Sequence, residues 1–335
     1  MFMPHKTIGI LGSGQLGRML VIAASQLGLR THVYAPDANN SPAGALSHEC
    51  TEAAYDNLDA LATFSSNVDV VTCEFENVPA QTMAFIANYC VVSPGQAALY
   101  TAQNRIREKS LAQDLDIKTP KFWHVASTAD LIKAMAELNG DGILKTCQFG
   151  YDGKGQVRLS TDDDLMAKFA ALKTDDAILE EIIPFRAEAS FLVARTARGT
   201  LSCFPASLNE HKNGVLSCSL APADLPEAVI NEGQAAACAL AEALDVIGLL
   251  ALETFVTEDN HLLFNEIAPR PHNSFHWTIE GCETSQFTQL IRTIAGMPLG
   301  GTSCYGKWRM DNLLGEDMGS LEALANKAGL HIHLY

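Results

Sequence analysis

Short apolar runs alternate with stretches of helical periodicity along most of the chain, a pattern that predicts a mixed α/β protein. Residues 7–11 and 30–35 read as strands around a helix that runs to Leu27. The β-branched run 68–72 reads as a buried parallel strand. A short strand at 90–92 is stopped by Ser93-Pro94-Gly95, which closes a first unit. Residues 98–115 read as one helix whose polar face holds Gln103, Arg105, Glu108 and Lys109; such a face is ordinarily solvated. Strands follow at 121–125, 142–146, 157–159, 177–183 and 190–195, with a helix starting near Ser127. The segment 203–219 reads as strand, loop, strand, and 228–244 as an alanine-rich helix. Residues 247–255 and 262–266 read as strands, 285–294 as a helix and 329–335 as a last strand.

The densest polar stretch begins where the apolar run 262–264 ends: Asn265, Glu266, then Arg270, His272, Asn273, Ser274 and His276. A merely connecting loop needs no such set of side chains. Thirteen residues before Glu266, Glu253 ends another apolar run. Two strands that each deliver one carboxylate make a candidate Mg²⁺ site, since that ion takes carboxylate oxygens together with nucleotide phosphates. A well-satisfied polar loop at a domain edge is the alternative.

Other segments carry chemistry of their own. Gly12, Gly14 and Gly17 form G-x-G-x-x-G after the first strand, with Asp37 twenty residues beyond Gly17, close to a dinucleotide fingerprint. The same turn serves other anions or packing alone. Glu74, Glu76 and Asn77 follow the strand at 68–72 and are either ligand contacts or helix-capping residues. The glycine-rich run 148–156, flanked by Lys145 and carrying Lys154, reads as a flap over phosphates in preference to a hairpin turning at Asp152-Gly153. Glu180 and Glu181 interrupt an apolar strand, so one of them needs a polar partner.

Composition narrows the field further. The 335 residues suffice for two or three domains, and a net charge of −16 opposes non-specific nucleic-acid binding. Nine cysteines without a C-x-x-C pair fit reduced thiols in the cytoplasm. The N-terminus enters a strand pattern directly, without a signal-peptide profile, and no run is long enough to span a membrane.

Four segments in order, GSGQLGRM from Gly12, EFENVP from Glu74, GYDGKGQ from Gly150 and NEIAPRPHNS from Asn265 with His276-Trp277-Thr278, resemble the ATP-grasp superfamily. They are most similar to its N5-carboxyaminoimidazole ribonucleotide synthase family. That resemblance implies an ATP-grasp fold, α/β and α+β, behind an N-terminal Rossmann-like pre-ATP-grasp domain. It divides the chain at 1–97, 98–182 and 183–335. It implies ATP- and bicarbonate-dependent carboxylation of aminoimidazole ribonucleotide through carboxyphosphate, in a homodimer that uses Mg²⁺ or Mn²⁺. Lys109 and Lys145 are then expected at the ATP phosphates, with Gly150, Gly153, Gly155 and Gln156 in the flap above them. Glu180, Glu181 and Ile183 are expected along adenine, Glu188 on the ribose, and Asn265 beside the nucleotide. Glu253 and Glu266 are expected on the metal, and Tyr151, Asp152, Lys154, His211, Arg270, His272 and Asn273 around bicarbonate and ribonucleotide. The glycine turn near Gln15 then faces the ribonucleotide and holds no dinucleotide.

Phe149 and Phe275 stand where the family carries glycine, which adds bulk near the site. The family continues beyond the final strand with a basic, glycine-containing segment, so the C-terminal unit is expected to be incomplete at Tyr335. Two other readings remain: a different ATP-grasp ligase or ribonucleotide transferase, and a truncated ATP-binding remnant without catalysis.

Overall fold

The structure, a computed structural model, describes residues 6–148 and 155–334. Among these residues the chain builds three sheets in succession. The first is parallel, ordered β3-β2-β1-β4-β5, from β1 (Thr7–Leu11), β2 (Arg30–Ala35), β3 (Glu49–Glu52), β4 (Val70–Cys73) and β5 (Val91–Val92). Helices α1 (Gln15–Gln26), α2 (Leu58–Ser66) and α3 (Ala80–Ile86) connect its strands. The strands are apolar on both sides because both faces are covered. Ile8, Ile10 and Val33 pack with Leu20 on one face, and Leu11, Val71 and Cys73 with Phe64 and Met83 on the other.

Two helices follow where the periodicity predicts one: α4 (Gln96–Ala102) and α5 (Arg105–Asp114). The break falls at Asn104, whose side-chain oxygen accepts from the N–H groups of Ile106 and Arg107 at 3.0 and 3.1 Å. Such an N-cap satisfies donors that a continuous helix would bond to its own carbonyls. The new helix lays its charged face against the third sheet, so Glu108 and Lys109 are 2% and 0% exposed rather than solvated.

The second sheet is antiparallel, ordered β6-β9-β7-β8, from β6 (Phe122–Val125), β7 (Gly142–Thr146), β8 (Gln156–Leu159) and β9 (Ala177–Glu181). Helices α6 (Thr128–Leu138) and α7 (Leu165–Ala171) cover one face around Leu131, Met135, Leu144 and Leu179. Ser127 caps α6 by accepting from the N–H of Asp130, while Asp130 accepts in return from the Ser127 hydroxyl.

The third sheet is antiparallel, ordered β15-β14-β10-β12-β13-β16, with β11 beside β10. Its strands are β10 (Ala187–Arg195), β11 (Leu201–Cys203), β12 (Ser207–Lys212), β13 (Val215–Ala221), β14 (Gly248–Val256), β15 (Leu262–Ala268) and β16 (Trp308–Asp311). Helix α8 (Glu227–Ala243) packs on one face. On the other, α9 (Thr278–Gly281) leads into α10 (Gln286–Ile294), whose Phe287, Leu290 and Ile291 share a core with α1 and so seat the first sheet's layer on the third.

Three expectations change. Strand β15 does not stop at Glu266 but runs to Ala268, because Ile267 and Ala268 keep partners in Leu252 and Ala251 across β14. Residues 330–334 form no strand. Gly329 turns the chain at φ +81°, Leu330, Ile332 and Leu334 stay exposed, and the segment is tethered by His333 Nε2 to Glu280 at 3.0 Å rather than by a ladder. Phe275 adds no bulk to the polar face: it is fully buried in the core beside Phe204 and Trp277.

A Cβ on Gly233 of α8 would lie 2.1 Å from the ring of Phe191, which is itself buried in that core. Gly233→Ala should therefore cost about 1–3 kcal/mol by overpacking, read as a lower denaturation midpoint; an unchanged midpoint would show that the contact is slack.

Candidate active site

The polar stretch after β15 gathers around the end of the third sheet, and every neighbouring element contributes to it. Glu253 and Glu266 face each other across β14 and β15, with a register irregularity immediately after Glu253. Cross-strand partners project on the same face, so their carboxylates converge. Each has a basic side chain beside it: Arg105 Nη1 lies 3.0 Å from Glu266 Oε2, and His272 Nε2 lies 3.1 Å from Glu253 Oε1. Burial pushes the Glu253 carboxyl up, but His272, then His211 and Arg270, pull it below the ordinary range.

The loop itself is held from behind. Gln286 of α10 accepts from the His272 N–H and donates to its carbonyl, both at 2.8 Å. His272 Nδ1 meets the Ser274 hydroxyl at 2.7 Å, which fixes the ring while Nε2 faces Glu253. Trp277 donates to the Ser207 hydroxyl, and Ser207 to the Ser274 carbonyl. Arg270 pairs through Nε with Glu76, which follows β4, and its Nη1 donates to the Pro271 carbonyl at 2.8 Å. Asn273 is half-buried beside them. On the neighbouring strands His211 of β12 pairs with Glu188 of β10. Burial lowers the His211 pKa, but Glu188 outweighs it and holds the imidazole above its usual value.

A second cluster lies between the second and third sheets. Glu180 of β9 is 3% exposed and meets Lys145 of β7 at 2.8 Å and Lys109 of α5 at 3.4 Å. Lys109 also donates to the Asn265 carbonyl at 2.8 Å and stands over the Phe264 ring. Burial raises the Glu180 pKa, but Lys109, Lys145 and Arg105 win and bring it down to about 2. Burial in turn lowers the Lys109 pKa, against the pull of Glu180. Glu108, buried beside Arg105, accepts from the Ile267 N–H at 3.0 Å, and burial keeps its carboxyl well above the ordinary range. One side of α5 thus ties Asn265, Glu266 and Ile267 in place.

The remaining expected residues lie around this cluster. Glu181 accepts from the Lys121 N–H at 2.7 Å, and Ile183 is half-buried in the segment that leads to β10. Gln156 starts β8 opposite Lys145, and Gly155 just before it accepts from the Thr146 N–H at 2.9 Å. Phe149, Gly150, Tyr151, Asp152, Gly153 and Lys154 lie outside the described residues.

The glycine turn is filled by the protein itself. Glu74 accepts from the N–H groups of Gly14 and Gly17 at 2.8 and 3.1 Å, where a dinucleotide phosphate would sit at the start of α1. Asp37, the candidate ribose acceptor, takes the Ser13 hydroxyl at 2.7 Å. The carboxylate that follows β4 therefore caps α1, and Glu76 faces the loop through Arg270. Sequence reading took Arg105 and Glu108 for a solvated helix face and left Glu74 and Glu76 open between ligand contact and helix capping. The signal was there in Arg105, Glu108 and Lys109, spaced to share one helix face.

Replacing Glu180 with Gln leaves Lys109 buried without a counter-charge, at a cost of about 3–5 kcal/mol. The carboxyl's folded pKa is depressed from 4.5 to about 2, so its contribution is complete above the unfolded value and is lost as pH falls through the folded one. The stability gap between wild type and Glu180→Gln should thus be constant near neutrality and narrow below pH ~4.5. A gap that does not depend on acid would disprove the charge cluster.

Known proteins share this fold. The ribonucleotide synthetase preATP-grasp domain matches residues 5–103 and the ATP-grasp domain residues 110–287. N5-carboxyaminoimidazole ribonucleotide synthase of Brucella melitensis is 42% identical, over 99% of this chain and 92% of that protein. The bifunctional purine synthesis protein purC/E of Dictyostelium discoideum is 40% identical over 99% of this chain, which spans 35% of that longer protein. Among solved structures, the ADP complex of purK, an N5-carboxyaminoimidazole ribonucleotide synthetase, superposes with TM-score 0.95 and 38% identity over 100% of this chain and 89% of that one. The Aspergillus clavatus N5-carboxyaminoimidazole synthase in complex with ADP and 5-aminoimidazole ribonucleotide gives TM-score 0.89 and 27% identity, over 96% and 87%. With matched domains in order and identity spread over nearly its whole length, the chain belongs to the ATP-grasp family of N5-carboxyaminoimidazole ribonucleotide synthases.

Proposed function

We propose that the chain carboxylates 5-aminoimidazole ribonucleotide at the expense of ATP and bicarbonate, yielding N5-carboxyaminoimidazole ribonucleotide, ADP and phosphate in purine biosynthesis. The observation that carries this reading is the junction at β14, β15 and the loop after them. There Glu253 and Glu266, the buried Lys109–Glu180–Lys145 cluster and Arg270 stand on adjoining elements.

Lys109 and Lys145 are suited to the nucleotide's phosphates. Both ammonium groups meet the Glu180 carboxylate, at 3.4 and 2.8 Å, so two cationic side chains stand together where an anion can be taken. Glu181, Ile183 and Glu188 line the route from β9 to β10 and take the adenosine, with Asn265 beside it. Gly150, Gly153, Gly155 and Gln156 are assigned to the cover over the phosphates. Glu253 and Glu266 offer hard oxygen donors from neighbouring strands, which suit Mg²⁺ or Mn²⁺. The ion, when bound, supplies charge neutralisation on the phosphates.

Arg270 is assigned to bicarbonate, because its planar fork matches carboxylate and phosphate oxygens. In the first step a bicarbonate oxygen attacks the γ-phosphorus and the bond to ADP breaks. Carboxyphosphate then divides into CO₂ and phosphate. The substrate amine attacks CO₂ and gives up a proton. His272, Asn273 and His211 line this chamber, with Tyr151, Asp152 and Lys154 assigned to close it against water, since carboxyphosphate hydrolyses readily.

The chain is divided for this task at 1–97, 98–182 and 183–335. The three sheets fall within those spans, at residues 7–92, 122–181 and 187–311. The net charge of −16 favours small anionic substrates held at local cationic sites over nucleic acid. None of the described helices is long and apolar enough to cross a membrane. Nine free thiols support a reducing, cytoplasmic setting. The homodimer is retained from the family resemblance, and sedimentation would test it.

ADP release, followed with and without aminoimidazole ribonucleotide in bicarbonate buffer, tests the reading. Release that depends on both co-substrates is expected; equal rates without the ribonucleotide would leave only an ATP-binding remnant. Glu266→Gln should lower kcat by about 100-fold or more while the fold is kept. Arg270→Met should lower kcat by about 100- to 1000-fold with a nearly unchanged KM for ATP; a rise confined to the ATP KM would move Arg270 to the nucleotide.

A further inference from the structure

One constellation at the end of the second sheet has no part in the site above. Strand β9 lies between β6 and β7, and Asp176 immediately precedes it. His124 reaches Asp176 from β6, with Nε2 3.0 Å from Oδ1. Cys147 reaches it from the end of β7, its N–H bonded to the Asp176 carbonyl at 2.9 Å and its thiol to the carboxylate. The imidazole nitrogen, the sulfur and a carboxylate oxygen all lie within 4.8 Å of one another.

Further groups orient the central carboxylate. Asn104 Nδ2 and Gln148 Nε2 lie 3.4 and 3.3 Å from Asp176 Oδ2, which leaves Oδ1 on the side of His124. Outer amide donors of this kind fix a ligating carboxylate. Cys147 is 1% exposed, whereas the side chains of His124 and Asp176 are 53% and 38% exposed. The sulfur is thus buried, while the imidazole and the carboxylate beside it reach solvent.

We propose that His124, Cys147 and Asp176 form a binding site for a borderline-soft divalent cation, with Zn²⁺ the best match. Nitrogen, sulfur and oxygen from three protein side chains are the donor set Zn²⁺ takes, with a fourth, open position for water. The same set is wrong for Mg²⁺, which prefers oxygen alone, so this site and the Glu253–Glu266 pair sort cations by softness. Binding replaces the thiol proton: Zn²⁺ and Cys147–SH give the thiolate complex and one H⁺, and the His124–Asp176 hydrogen bond is exchanged for two metal bonds. The ion would join three strand ends two residues from Lys145, and Cys147 is in turn tied to α5 through the Arg105 N–H, bonded to its carbonyl at 3.0 Å.

The test uses the full chain, stripped with a chelator, and Co²⁺ as a spectroscopic probe. One equivalent should produce a thiolate-to-cobalt charge-transfer band that Zn²⁺ abolishes and excess Mg²⁺ does not. The band should vanish in Cys147→Ser, and the Co²⁺ affinity should drop by about 10-fold or more in His124→Gln and Asp176→Asn. His124 is half exposed, so His124→Gln decides the matter should the serine variant fold poorly. Cys238→Ser is the control, because Cys203 and Cys238 place their sulfurs 3.5 Å apart and could bind a soft ion themselves. A band that survives both Cys147→Ser and His124→Gln, or that is lost in Cys238→Ser, overturns the assignment. So does weak, non-stoichiometric uptake that shows an adventitious ion only.

Discussion

A buried lysine is the constraint around which this molecule is arranged. Lys109 is completely enclosed, and an unpaired ammonium there would cost several kcal/mol. The chain meets that demand with Glu180 from β9, the Asn265 carbonyl from β15 and the Phe264 ring beneath. These partners come from two distant strands, β9 and β15, so satisfying one side chain fixes α5, the second sheet and the third sheet relative to one another. Lys145 enters the same cluster from β7. The result is two lysine side chains gathered on a single buried carboxylate.

The same logic governs the rest of the site. Glu266 is balanced by Arg105, Glu253 by His272 and Arg270 by Glu76. The last of these bonds brings the first sheet to the loop after β15. That sheet has a dinucleotide-like turn, yet Glu74 occupies the turn's donors, so its contribution is the acidic segment after β4 rather than a nucleotide cradle. Gln286 grips the loop backbone from α10, whose apolar face packs on α1. Arg105, Glu76 and Gln286, to which no chemical step is assigned, thus hold much of the site in place.

Much of this was legible in the sequence. Buried parallel strands announce themselves as apolar runs, and the carboxylates at 253 and 266 stood out because they end such runs. What the pattern missed depends on burial by distant partners. Periodicity joined residues 98–115 into one helix, since a single Asn104 cap is a weak local signal beside two turns of good helix former. It treated Arg105, Glu108 and Lys109 as solvated because a charged helix face normally is; β15, more than a hundred residues away, and Glu180 of β9 take up that face. Phe275 read as an intrusion into a polar loop, but its ring turns into the core beside Phe204 and Trp277. The apolar residues of 330–334 suggested a strand, and the structure gives them no ladder to join.

The account's central claim is that a loop built on paired carboxylates and Arg270 directs bicarbonate at the terminal phosphate. Turnover of ¹⁸O-labelled bicarbonate with ATP and aminoimidazole ribonucleotide, followed by mass analysis of the phosphate released, tests it most directly. The proposed carboxyphosphate route predicts that one bicarbonate oxygen appears in the phosphate. Phosphate whose new oxygen comes only from water would contradict it.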